Sequence, residues 1–178
     1  GQVISYASGL PLLAVTVFSL LAYLYRSGIR WDLTSALLVL GVFGWAMGSV
    51  PAIIDGMVSV NKVMHNTQWV PGHFRTYLLV GEIAIVLGFM SWLGSATQAR
   101  LKPLPVSGAF WAYTIGGFGF VLVFLTSGAM SIPRRWAVHL PAWWGQDRLG
   151  SPFAALTIAG AGLLIWALAK RLIATSKV

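Results

Sequence analysis

Five apolar stretches, each near the ~20 residues needed to cross a bilayer, alternate with short polar breaks along this 178-residue chain. The first runs from about Gly9 to Tyr25, holds only Thr16 and Ser19 as interior hydroxyls, and stops at Arg26 to Arg30. The second, about Leu33 to Ile54, carries Gly41, Gly44, Gly48 and Ser49. Glycines at three- and four-residue spacing let another helix approach closely, so this pattern predicts packing rather than chemistry. A connection from Asp55 to about Gly72 leads to the third stretch, about His73 to Ser95, which is expected to begin a turn or so earlier because Pro71 is tolerated in a first turn. The fourth covers about Ser107 to Met130, and the fifth about Ser151 to Ala169, ending at Lys170-Arg171. These spans predict an all-α integral membrane protein with five transmembrane helices in a single helical domain, residues 1–178.

Composition agrees: 57% of the residues are hydrophobic and only 9% charged, against about 25% charged in soluble domains. The chain has no cysteine, so it cannot itself supply ligands for a zinc–thiolate or iron–sulfur site, nor form a disulfide. Its net charge of +8 comes from basic residues at span ends, the ordinary pattern of membrane loops, and does not point to nucleic acid. Nothing near Gly1 resembles a secretory signal, and the chain reads as a processed chain or a piece of a larger one. Orientation follows from the distribution of basic residues. Arg26, Arg30, Arg100, Lys102, Lys170, Arg171 and Lys177 fall on one side; Lys62, Arg134, Arg135 and Arg148 fall on the other, with Arg75 just inside the membrane. The positive-inside rule makes the first side cytoplasmic, which puts the N-terminus outside and the C-terminus in the cytoplasm of a prokaryotic cytoplasmic (inner) membrane.

The candidate chemistry lies between the second and third spans. The stretch Met64 to Tyr77, M-H-N-T-Q-W-V-P-G-H-F-R-T-Y, holds two of the three histidines. Imidazole is the usual axial ligand of heme iron, and an intramembrane histidine is costly unless something uses it. On a regular helix His73 and Arg75 lie about 160° apart, so each faces a different neighbour. Glu82 returns to within about 20° of the Arg75 face, roughly 10.5 Å deeper, which makes Arg75 and Glu82 a candidate ion pair as well as candidate functional groups. Arg134-Arg135, past the end of the fourth span, can bind carboxylates or contact lipid head groups. His139 reads as a solvated loop residue, and Trp136, Trp143 and Trp144 fit an interfacial belt. No Ser/His/Asp arrangement, phosphate-binding glycine loop or catalytic carboxylate pair is present. Outward histidines and arginines around an anionic cofactor remain, and a metalloporphyrin, with iron for imidazole and propionates for guanidinium, fits them.

The order of these pieces resembles the C-terminal part, the last five spans, of subunit I of the heme-copper oxidases, the B-type branch in particular. His65-Asn66-Thr67-Gln68-Trp69-Val70-Pro71-Gly72-His73-Phe74 is similar to that family's H-N-T-x-W-V-P-G-H-F segment, and Pro133-Arg134-Arg135 to its P-R-R segment. The resemblance implies that His73 is the proximal ligand of a high-spin heme of unspecified type. It implies that His65 and Asn66 lie near the propionates, and that Arg134 and Arg135 bond them.

Three departures qualify it. The family pattern continues H-F-H, its second histidine ligating a low-spin heme, whereas this chain has Arg75, which offers no lone pair to iron. The family's copper ligands and cross-linked tyrosine belong to earlier spans, so copper enters only if a partner chain ligates it. The span matching the family's proton path offers Thr16 alone. Two readings stay open. In one, the chain is a subunit of a respiratory terminal oxidase, contributing His73 to an oxygen-reducing site and docking against a chain with the missing spans; it is not active alone. In the other it is a heme-free, degenerate relative serving as a structural subunit of a larger respiratory membrane complex. Both imply other membrane subunits and lipid as partners.

Overall fold

Each apolar stretch is a helix, and the helices run past the bounds that hydropathy alone suggests. The computed structural model describes residues 2–95 and 103–175. Helix α1 is Gln2–Ser27, α2 Leu33–Asp55, and α3, a short helix within the expected connection, Val58–Met64. The third span is one continuous rod of three segments: α4 (Trp69–Arg75), a π-helical segment (Thr76–Glu82) and α5 (Ile83–Ser95). Helix α6 is Pro103–Ala129, and α7, entered through a 3₁₀ turn at Pro141–Trp143, is Trp144–Thr175. Five of these rods are long and apolar enough to span a membrane. Arg100, Lys102 and Lys177, used above for orientation, lie outside the described residues.

The extensions have local causes. Asp32 starts α2 with a reciprocal cap: its carboxylate accepts from the Ser35 N–H at 2.7 Å while the Ser35 hydroxyl accepts from the Asp32 N–H at 2.9 Å. Helix α7 begins well before Ser151 because the polar run Gln146-Asp147-Arg148 is compatible with helix even though it is not apolar. The third span starts at Trp69, with Pro71 in its first turn, as its sequence suggests.

Packing follows the small residues. A Cβ added at Gly44 of α2 would lie 2.5 Å from the Val80 carbonyl carbon, and one at Gly41 only 3.0 Å from the Gly81 oxygen. The α2 glycines therefore let its backbone touch that of the third span, the close approach their spacing predicts. Leu37, Leu40, Val80, Ala84, Tyr113 and Leu164 form the buried core between α2, the third span, α6 and α7. Thr34 and Ser91 share a hydrogen bond of 2.9 Å across α2 and α5. Helix α1 packs on α2, leaving Leu12 and Phe18 exposed.

The π-helical segment has a tertiary partner. At its end the Ile83 N–H bonds to the Leu78 carbonyl, five residues back, and the buried Tyr113 hydroxyl of α6 donates to the Leu79 carbonyl. In this irregular turn a side chain from the neighbouring helix supplies a donor to a backbone carbonyl. Tyr113→Phe removes that hydrogen bond from the core and is expected to cost about 1–3 kcal/mol. Thermal unfolding of the purified protein checks this; an unchanged midpoint would mean that the Leu79 carbonyl needs no outside donor.

Candidate functional site

The two motif-bearing connections meet at one end of the bundle. Thr67 and Pro133 form an isolated antiparallel bridge, in which the Gln68 N–H donates to the Ile132 carbonyl and the Arg134 N–H to the Asn66 carbonyl, both at 2.9 Å. Ile132, 1% exposed, anchors one side of this latch and the buried Thr67 the other. The Thr67 hydroxyl donates to the Met64 carbonyl at 2.8 Å and accepts from the Trp69 N–H at 3.3 Å, so one side chain bonds the last residue of α3 and the first of α4. The Trp69 indole N–H donates to the Pro51 carbonyl of α2 at 3.2 Å. Ser131 and Arg135 flank the second segment with φ of 62° and 67°. Non-glycine residues there cost about 1–3 kcal/mol each and persist only when the surroundings fix them.

His73 and Arg75 face different neighbours. The His73 ring meets Tyr77 edge-on at 6.1 Å, and Tyr77 lies against Gly48 and Trp45 of α2. The Arg75 guanidinium sits 4.1 Å from the ring centre of Phe124 and 5.7 Å from that of Phe120, both on α6. His73 is half-buried; its Nδ1 is fully buried, and no described residue offers it a hydrogen bond. His65 and Asn66 are exposed beside the latch, Asn66 joined to Arg134 through the backbone.

A cleft of about 560 Å³ opens beside α4, lined by Gln68, Val70, Pro71, Phe74, Leu78 and Phe124 together with Arg75, Arg134 and Arg135. The structure thus gathers three guanidiniums that the sequence spaces up to 60 positions apart, and leaves His73 out of that lining. The chain's four acids are all engaged or placed elsewhere. Asp32 caps α2, Asp147 pairs with His139, Asp55 has a buried Oδ1 without a partner, and Glu82 is exposed.

The candidate pair of Arg75 with Glu82 does not form. The π-helical segment separates them, and each of its wider turns advances a residue by less than 100°, so seven residues no longer return to the same face. His139, expected to be solvated, is instead half-buried, its Nδ1 2.7 Å from Asp147 Oδ2 and its ring edge-on to Trp143 at 5.9 Å. The pair lines a second, smaller cleft of about 280 Å³ beside the first. Neither has a signature in spacing: the latch joins two connections far apart in sequence, and the pair joins a loop histidine to Asp147 in the first turn of α7 across the turn at Pro141–Trp143. Among the described residues no group of three or more His, Cys, Asp or Glu side chains could hold a metal ion.

Fold and site together define a five-span helical membrane protein with a histidine and an arginine-lined cleft at one end of the bundle. Residues 1–163 match the family model described as cytochrome c and quinol oxidase polypeptide I, and the chain belongs to that family. It is 26% identical over 165 residues to the cytochrome c oxidase polypeptide 1 of Halobacterium salinarum, covering 92% of this chain and 27% of that one. To a probable quinol oxidase subunit 1 of Staphylococcus haemolyticus it is 25% identical over 158 residues, 85% of this chain and 23% of the relative. The cytochrome c oxidase subunit 1 of Thermus thermophilus matches at 28% over 105 residues, 54% of this chain and 18% of that protein. The chain thus spans about a quarter of the length of these relatives. A solved heme-copper terminal oxidase dimer shares the fold, with a TM-score of 0.77 and 21% identity over 96% of this chain and 36% of that one.

Proposed function

We propose that this chain is a subunit of a respiratory terminal oxidase, corresponding to the C-terminal part of a B-type subunit I, and that it contributes His73 to a high-spin heme. The observation carrying this reading is the half-buried His73, whose Nδ1 has no partner among the described residues. Burying such a group unpaired costs about 1–3 kcal/mol, so the histidine is held there at a cost, and with Nδ1 enclosed by protein it is Nε2 that would be left for a metal. The residues fit one heme, at His73, and do not fit a second ligated at Arg75, whose guanidinium has no lone pair for iron. Arg134 and Arg135, without acid partners, are suited to hold carboxylates, and His65 and Asn66 stand beside them across the latch. Bound there, the heme would supply the iron at which oxygen is reduced. His73 holds and orients it, and the arginines fix its acidic edge.

In this reading the N-terminus and the arginine-bearing end face outward from a prokaryotic cytoplasmic membrane, the C-terminus is cytoplasmic, and residues 1–178 form one helical domain. The earlier spans of a subunit I and any copper ligands would be supplied from outside residues 1–178, and these residues alone would be inactive. A second reading, a heme-free structural subunit of a respiratory complex, is favoured by one observation: Arg75 is packed on Phe120 and Phe124 at the position where the family pattern has a heme-ligating histidine. Heme per polypeptide in the intact purified complex, by pyridine hemochrome assay with a CO-difference spectrum, separates the two. One CO-binding heme per copy of this chain is expected; none attributable to it would leave the structural reading.

A further inference from the structure

We infer that Asp55 positions His73: its carboxylate accepts, through one bridging water, a hydrogen bond from the imidazole Nδ1–H, which turns Nε2 toward the metal. What Nε2 does rests on the heme reading; the placing of Asp55 rests on how two helices pack. Gly41, Gly44, Gly48 and Pro51 are buried along one face of α2, and their alternating three- and four-residue spacing continues to Asp55, the last residue of the helix. The facing surface belongs to the third span. A Cβ at Gly44 would touch Val80, one at Gly48 would touch Tyr77, and the Trp69 indole bonds the Pro51 carbonyl. His73 stands four residues from both Trp69 and Tyr77, on the face they share, and so looks onto the last turn of α2. The two helices run antiparallel. Side chains lean toward the N-terminus of their own helix, so Asp55 leans into the bundle and His73 leans out toward it.

Each of the two groups needs what the other offers. Asp55 Oδ1 and His73 Nδ1 are both buried, and neither meets a hydrogen-bond partner among the described residues. One is an acceptor, and the other donates when its nitrogen carries the proton. Asp55 also sits at the C-terminal end of α2, where the helix dipole disfavours negative charge, and no basic residue shares that last turn. Its charge is felt at the His73 ring. Asn61 donates from Nδ2 to the Asp55 backbone carbonyl at 3.0 Å, which fixes the chain at this point without engaging the carboxylate. Buried waters commonly join polar groups that protein alone leaves unpaired. A carboxylate bonded to the second nitrogen of a ligating histidine fixes the tautomer and the ring orientation, and makes the ligating nitrogen more basic.

Resonance Raman of the reduced, intact purified complex tests this, because the iron–histidine stretch reports the bond made by Nε2 rather than turnover. Asp55→Asn and Asp55→Leu should each lower its frequency, Leu the further, and weaken heme binding by about 10–100-fold. Asn61→Ala, which loosens the same helix end and leaves the carboxylate in place, should not move the frequency. A shift of equal size in Asn61→Ala would reduce Asp55 to a structural role and overturn the inference. So would an unchanged frequency in both Asp55 variants, with the heme reading left standing. Wild-type complex without an iron–histidine band removes the heme reading instead, and the pair is then decided by the unfolding midpoints of Asp55→Leu, His73→Phe and the two combined. Losses that do not add, the combined variant being no worse than His73→Phe, support the coupling; additive losses overturn it. Asp55→Asn, nearly isosteric, takes the place of Asp55→Leu in both experiments if the latter does not assemble.

Discussion

Gly128→Leu is expected to prevent the latch from closing and to lower the yield of folded protein sharply. A Cβ at Gly128 would lie 2.1 Å from the Trp69 nitrogen and 2.5 Å from its Cα, backbone atoms that no rotamer change can move aside. Helix α6 would have to withdraw from α4, and that displaces Gly72 from Leu125, the Thr67 cap and the pairing of Gln68 with Ile132. Overpacking costs about 1–3 kcal/mol where side chains can adjust, and more where backbone meets backbone. For a chain of this size that corresponds to a fall of roughly 10 °C in unfolding midpoint, if the protein assembles at all. Gly162→Leu is the control. Nothing lies within 4 Å of that position, so the same added volume enters open space. Equal stability of the two variants would show that α6 and α4 do not pack as closely as the geometry demands.

The contrast between Gly128 and Gly162 bears on how much of this molecule was legible in its sequence. The five spans were, because the period and length of apolar runs report directly on the solvent each helix meets. The role of the α2 glycines was legible, and so were the separate faces of His73 and Arg75, since both depend on local helix geometry alone. The π-helical segment was not. It depends on Tyr113, 34 residues away from the Leu79 carbonyl it bonds, and no local propensity in Thr76–Glu82 announces it. That one irregular turn separates Arg75 from Glu82 and so removes an ion pair that a regular helix would allow. The latch between Asn66 and Arg134 was not legible: the resemblance assigned both segments to one cofactor but no contact between them, and their backbone hydrogen bonds come from the fold.

The meeting of Arg75 with Arg134 and Arg135 illustrates the same limit from the side of function. Read singly, Arg75 is an intramembrane charge seeking a partner, and Arg134-Arg135 a pair at an interface. Folding puts all three around one cleft and stacks the first on Phe124. The face on which Arg75 lies is thereby made cationic, while His73 lies on the other side of α4 against Tyr77.

His73→Gly is therefore expected to abolish the high-spin, CO-binding signal of the complex, and added imidazole to restore part of it. Losing even an outer-shell partner of a metal ligand costs about 10–100-fold in affinity, so loss of the ligand itself should lower the CO-difference signal by at least about tenfold. The substitution also removes the ring contacts with Phe74 and Tyr77 and puts glycine inside a helix, the latter at a cost of about 1 kcal/mol. A merely structural role could thus mimic part of the loss, but it would not respond to imidazole, which returns a nitrogen lone pair to the cavity without repairing the helix. Arg75→Gln, on the opposite face of α4, should leave the CO signal in place, because Arg75 offers iron nothing to lose. A CO-difference spectrum unchanged in His73→Gly would place any heme of the complex on another chain and leave His73 as a packing residue against α2.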